Sequence, residues 1–257
     1  MAYPTVLFSA DGEQFSRYRE DATGITYPLG TQLVMQDGRK FRFTRNGGTL
    51  LAVANVMQAG INTADHVNTT AVATAIAARA GVTTLGSTLA TINDYREGYM
   101  VVSVTPDGGS LYVIGSHAAV ASGGEFTGNF APGFSIQAAW TTTSRIDLIR
   151  NPYRAVIEAV ATTVTGPLVG VTVSALAANS SAPALSRGWL ATHGPCAVET
   201  VSTLVIGQRA VAGTDAGEVM PAEVTTLSTY VVQQEVGIVM RVAAATAFST
   251  IYLTIDK

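Results

Sequence analysis

The chain carries a single cysteine, Cys196, in 257 residues. An intramolecular disulfide is therefore impossible, and no thiolate metal site can be assembled within one chain. Left alone, Cys196 reads as a small buried apolar residue. Charge is scarce too: Asp, Glu, Lys and Arg make up 13% of the residues, roughly half the share in an average soluble domain. The formal net charge of −3 argues against nucleic acid as the main partner, which would call for a basic stripe. Histidine amounts to three isolated residues, His66, His117 and His193, without the His-x-x-x-His or Glu-flanked spacing that holds a metal. Heptads and short-period repeats are absent. The most apolar stretch, 155–179, contains Glu158, Pro167, two glycines and many threonines, which is strand texture and not a membrane helix. Met-Ala-Tyr-Pro-Thr-Val at the N-terminus has no basic region followed by an apolar core, so no secretory signal is expected.

Signatures of chemistry are equally thin. No Gly-x-Ser-x-Gly elbow occurs, although Ala121-Ser-Gly-Gly124 and Leu85-Gly-Ser-Thr88 superficially approach one. Gly115, Gly123, Gly124, Gly128 and Gly133 match neither a Walker loop nor a dinucleotide fingerprint. His193 and Cys196 are separated by Gly194-Pro195, a turn pair, and no third member of a catalytic set accompanies them. Asp11-Gly-Glu13 and Thr214-Asp-Ala-Gly-Glu218 are too sparse in oxygen ligands to be calcium loops. These absences predict a protein that is not an enzyme and uses no cofactor or metal.

What the chain does have is apolar residues, 47% of the total, with a positive mean hydropathy. Large exposed apolar patches are uncommon on monomers, so the composition predicts that part of the surface is covered by further copies or by another protein. The alternative is a monomer with a surface of Thr and Ala. The apolar residues fall in short runs rich in Val, Ile, Leu and Thr, broken by Gly, Pro, Asn and Ser about every ten residues, the spacing of a sandwich or small barrel.

Organisation follows from texture. Residues 1–28 read as an extended N-terminal arm: Tyr3–Ala10 has strand character, and 11–24 is polar and aperiodic. Such an arm either adds a strand to a neighbour's sheet or frays. Residues 29–59 form a hairpin part of the core domain, turning at Asp37-Gly38 between 31–36 and 39–44, with a third strand at 49–55. Phe41 and Phe43 alternate there with Lys40, Arg42 and Thr44, giving one buried and one basic face. Residues 60–150 make an inserted β-rich module, with one short helix over Asn68–Arg79, a hairpin turning at Pro106-Asp-Gly-Gly109, and a long loop over 115–133. Asn151-Pro152 marks a boundary, because the residue before proline is driven to extended geometry.

The C-terminal β domain, 151–257, is the region around which the rest is organised, with its centre at Arg187–Val198. Its last strand places Ile251, Leu253 and Ile255 on one face and Thr250, Tyr252 and Thr254 on the other. The strand before it, 237–242, sets Ile238, Met240 and Val242 against Val239 and Arg241. The fold class expected is all-β: a short-stranded β-sandwich or small β-barrel, β-tulip-like, in the C-terminal domain, plus the inserted module.

Several segments together resemble capsid decoration, or cement, proteins of tailed bacteriophages. They are Tyr27-Pro-Leu-Gly-Thr-Gln-Leu-Val-Met-Gln-Asp-Gly-Arg-Lys-Phe-Arg-Phe43, Asn151-Pro-Tyr-Arg-Ala-Val156, Gly170-Val-Thr-Val173, Gly188-Trp-Leu-Ala-Thr-His-Gly-Pro-Cys-Ala-Val198 and Val205-Ile-Gly-Gln-Arg-Ala-Val211. The resemblance implies a β-rich virion protein made in the host cytoplasm, a homotrimer on the outer surface of an icosahedral head, where it binds the major capsid protein. It implies no catalytic residue, cofactor, nucleic acid or membrane. Expected partner contacts are Tyr3, Val6, Phe8, Arg17 and Arg19 in the arm, Arg39 and Arg42 on the basic face, and Trp140 and Trp189. The competing expectation is a tail, fibre or surface adhesin component that stacks host glycan on Trp140 or Trp189.

Overall fold

The computed structural model describes residues 6–8, 27–160, 165–178, 186–222, 234–243 and 247–256. Tyr3, Arg17, Arg19 and the polar body of the expected arm lie outside them. The described chain is nearly all β. It divides into two compact units: Met1–Gly60 with Pro152–Lys257, and Ile61–Asn151.

The first unit contains β1 (Val6–Phe8), β2 (Gln32–Val34), β3 (Lys40–Asn46) and β4 (Val56–Gln58). The second contains β5 (Thr69–Ala71), β6 (Ala80–Thr84), β7 (Tyr99–Val104), β8 (Leu111–Ser116), β9 (Glu125–Phe130) and β10 (Arg145–Ile149). The first resumes with β11 (Arg154–Glu158), β12 (Leu168–Thr172), β13 (Arg187–Glu199), β14 (Arg209–Ala212), β15 (Val219–Pro221), β16 (Glu235–Arg241) and β17 (Phe248–Thr254).

In the second unit six strands close into a barrel in the order β10-β5-β6-β9-β8-β7, so no sheet edge is left to be covered. Alternation fills the interior: Met100 and Val102, Tyr112 and Ile114, Phe126 and Phe130, and Ile146 and Leu148 all point inward. Trp140 completes this core and needs Gly81 to do so, since a Cβ there would lie 2.4 Å from the indole Cη2. The hairpin predicted at 106–109 joins β7 to β8.

Two expectations for this unit are corrected. The helix over Asn68–Arg79 does not form. Thr69–Ala71 is strand β5, paired with β6 and β10, and Asn68 and Ala77 take positive φ of 56° and 66°. β-Branched Thr and Val fit a pleated surface better than a helix, and the Thr69 hydroxyl meets the Thr83 hydroxyl at 2.7 Å inside the barrel. Nor is 115–133 a long loop, because β8 runs to Ser116 and β9 occupies Glu125–Phe130. Of the glycines that suggested a loop, Gly128 serves packing, since a Cβ there would meet the Met100 methyl and the Phe126 ring at 3.1 Å, while Gly123 and Gly133 turn the chain at φ 69° and 95°.

In the first unit eleven strands form one sheet, β1-β2-β3-β11-β4-β12-β13-β17-β16-β14-β15. β3 also pairs with β13, so β3, β11, β4, β12 and β13 close on themselves. The thirteen-residue β13 joins this ring to the open part, pairing with β3, β12 and β17. Its two faces serve two cores. Trp189 and Ala191 pack with Leu33, Phe41, Phe43 and Ile251; Leu190, on the other side, packs with Met57, Val156, Val169 and Leu176.

Burial on both faces explains two further departures. Thr44, expected on the wet face of β3, is fully buried, and its hydroxyl donates to the Tyr153 carbonyl at 2.8 Å. The third strand predicted at 49–55 is reduced to a bridge between Leu51 and Leu176. Ala54 turns the chain at φ 67°, and β4 starts at Val56. The hairpin at Asp37-Gly38 forms with Gly38 at φ 84°, a conformation glycine adopts without steric cost.

Candidate functional site

The buried ionisable residues of the second unit are tied into structural networks. His66 sits beside the Tyr95 hydroxyl through Nδ1 and the Thr88 carbonyl through Nε2. His117 Nε2 accepts the Tyr95 backbone N–H at 2.9 Å, and Nδ1 faces the Ala118 carbonyl at 2.7 Å. Both imidazoles are buried, at 0% and 3% exposure. The Arg150 guanidinium grips one Asp94 oxygen with two nitrogens, at 2.6 and 3.1 Å, and lies 5.4 Å from the Tyr95 ring centroid. Burial raises the Tyr95 phenol above its ordinary range. Asp107 is a second anchor, accepting from Ser110 Oγ, Tyr112 Oη and Trp140 Nε1 at 2.7, 2.5 and 2.8 Å. Burial first, then this carboxylate, holds the Tyr112 phenol up.

In the first unit the Cys196 thiol is pushed up to about 12 by burial, so it is protonated at neutral pH. It approaches the Ala197 carbonyl at 3.4 Å, while His193 Nε2 faces the Tyr252 hydroxyl at 3.2 Å; the two do not form a nucleophile–base pair. Cys196 lines an apolar pocket of about 240 Å³ with Phe41, Val53 and Thr172, and Arg39 stands at its side. Among the described residues no three His, Cys, Asp or Glu side chains gather tightly enough to hold a metal by themselves. No helix there is long and apolar enough to cross a membrane.

The residues singled out from sequence are not brought together. Val6 is 37% exposed on β1, which runs parallel to β2, and Phe8 ends the same strand. Arg39 pairs with Asp37 at 2.7 Å, and Arg42 with Asp256 at 2.8 Å. Neither tryptophan belongs to a contact surface, which corrects their assignment to a partner face or a glycan groove. Trp140 and Trp189 are 1% and 2% exposed and packed among Tyr112 and Phe130, and Tyr27 and Phe43, respectively.

A different surface stands out. Residues paired across neighbouring strands share a sheet face, and the outward face of β13, β17, β16 and β14 carries the row Pro195, Tyr252, Ile238, Arg209. Beside it lie Met240 and the Ala197–Thr250 pair, and Phe248 extends the patch along β17. Ile238, Met240, Phe248 and Tyr252 are 42%, 46%, 50% and 37% exposed. Their strand neighbours Val236, Val239, Ile251 and Leu253 fill the core, so both faces of β16 and β17 are apolar. An antiparallel sheet with one wet face normally puts polar residues there. The loop before β14 adds Val205 and Ile206, 62% and 67% exposed, held to β16 by the Gly207 N–H on the Val239 carbonyl. The sequence alternation separated Ile238 and Met240 from Val239. With apolar residues on both sides, it carried no signal as to which side is wet.

No family model matches the chain, and no curated protein or solved structure is significantly similar to it.

Proposed function

We propose that this chain is a structural assembly subunit, built to be covered on the outward face of β16 and β17. The observation that carries the reading is the exposed apolar row Ile238, Met240, Phe248 and Tyr252. Contiguous apolar surface on the scale of a few hundred Å² marks interaction sites on soluble proteins. Both signs of charge border it, with Arg209 and Arg241 near Glu235 and Glu199, as expected of an interface core inside a polar rim.

The particular assembly follows from the sequence resemblance: the outside of a tailed-phage head, where the protein bridges major capsid subunits and stabilises the finished shell. A cement protein does so by binding the assembled lattice better than free subunits, with several modest contacts acting together. Burial of both tryptophans in the cores takes the sugar-stacking groove from the adhesin alternative.

Sedimentation velocity over a wide concentration range, together with co-sedimentation on purified heads of the phage that encodes the chain, tests the proposal. The wild type is expected to self-associate and to pellet with heads, and Ile238→Lys with Met240→Lys to do neither while staying folded. A strictly monomeric wild type that leaves heads bare refutes the reading.

A further inference from the structure

We propose that Asn55, Glu199 and Glu218 form a binding site for a hard divalent cation of the calcium class, on the first unit. Asn55 is 5% exposed, and its Oδ1 is fully buried with no hydrogen-bond partner. The amide orientation is fixed, because Nδ2 donates to Glu158 Oε1 at 3.1 Å; flipping the group would set two oxygens face to face. Glu218 Oε2 is also buried and without a partner. Two buried acceptors that meet no donor are expensive to keep, and a cation satisfies both at once.

The backbone brings these groups to one place. On one side of Asn55 the Ala54 carbonyl accepts the Glu199 N–H at 3.0 Å, and on the other the Val56 N–H donates to the Gly217 carbonyl at 2.7 Å. The Asn55 amide lies against Gly217 so closely that a Cβ there would stand 2.5 Å from Nδ2 and 2.7 Å from Cγ. The amide is thus wedged between Glu158 and the backbone that leads into Glu218. A parallel bridge joins Thr200 to Val219, which sets Glu199 and Glu218 side by side. Burial first, then Glu199 and Asp215, holds the Glu218 carboxyl above its ordinary range, an arrangement that a counter-charge relieves. Calcium accepts irregular sets of carboxylate, amide and carbonyl oxygens, whereas magnesium demands an octahedron. The donor set here, two carboxylates and one side-chain amide oxygen, belongs to the former.

The test is calorimetric titration of the chelator-treated full chain with calcium chloride, repeated with magnesium chloride. One saturable calcium site is expected, at about 10⁻⁴–10⁻³ M, the range of sites with few charged ligands. Binding should weaken at least tenfold in Glu218→Gln and in Glu199→Gln, and stay unchanged in Glu125→Gln, an exposed acid of the other unit. Absence of saturable calcium heat, equal affinity for magnesium, or unaltered binding in both variants overturns the assignment. So does a Glu218→Gln protein that gains stability with no change in calcium response, since the acid would then be merely buried.

Discussion

Removing the Asp107 carboxylate should unfold the barrel of residues 61–151 preferentially. Asp107 closes the β7–β8 turn at φ 69° and takes hydrogen bonds from Ser110, Tyr112 and Trp140. Asp107→Ala strands two donors on buried rings, the Trp140 N–H and the Tyr112 hydroxyl, whose residues are 1% and 3% exposed. Each buried orphan costs about 1–3 kcal/mol, and alanine at positive φ adds about 1 kcal/mol. Allowing for non-additivity, the loss should be about 3–4 kcal/mol. Asp107→Asn keeps an oxygen for Tyr112 and Trp140, turns its amide nitrogen to the Ser110 hydroxyl and tolerates the left-handed backbone. Its cost should be about 1 kcal/mol. Trp140 is the reporter in a Trp189→Phe background, because each unit holds one tryptophan. With a urea slope of about 1.5 kcal/mol/M, the midpoint of Asp107→Ala falls by about 2 M. An alanine variant within about 0.5 kcal/mol of the parent, the range of ordinary surface substitutions, or equal losses for Asn and Ala, would refute the anchor.

Two further outcomes follow from the first unit. Burial works to raise the Asp256 carboxyl, but its hydrogen bond and charge interaction with Arg42 outweigh that and hold it below its ordinary 3.8. The folded value being the lower one, the pair's stabilisation is complete above about pH 4 and is lost as pH falls through the folded value. Acid unfolding followed by hydrogen exchange in β2, β3 and β13 should therefore show a shallower stability loss below pH 4 in Asp256→Asn than in the wild type; identical slopes would discard the pair. For Cys196, a thiol held near 12 should alkylate slowly with iodoacetamide at pH 8 in the native protein and at the ordinary thiol rate in urea. Fast native labelling would show that the thiol is neither buried nor raised.

How much of this was legible in the sequence depends on how many faces of a strand are covered. Where one face is wet, alternation predicts the structure well. Ile251 and Leu253 are buried and Tyr252 exposed, and the Asp37-Gly38 and Pro106–Gly109 turns join the strands they were expected to join. Arg187–Val198, read as the centre of its domain, is the strand that touches both cores of the first unit. Where both faces are covered, period two loses its meaning, and Thr44 was placed on the wrong side for that reason. Glycine misled in the opposite way. Gly81, just past the segment read as a helix, and Gly128, in the stretch read as a loop, each mark a place where a ring or a methionine presses on the backbone; that demand is set by residues far away in sequence.

The candidate surfaces were illegible for the same kind of reason. Ile238, Met240 and Tyr252 are individually ordinary strand residues, and only the register Tyr252↔Ile238 and Tyr252↔Pro195 makes them one patch. Asn55 and Glu218 are separated by most of the chain, and only the parallel bridge at Val219 and the two backbone bonds beside Asn55 bring the amide, Glu199 and Glu218 together. Sparse charge raised the expectation that part of the surface is covered. The pairing of β13, β17 and β16 gathers Ile238, Met240 and Tyr252 into one exposed apolar face, bordered by Arg209 and Glu235 at 3.9 Å from each other. A second copy changes both charges together with the first, whereas a different partner must complement them as they stand, so charge reversal at Arg209 together with Glu235 should leave self-association intact and disrupt binding to an unrelated lattice.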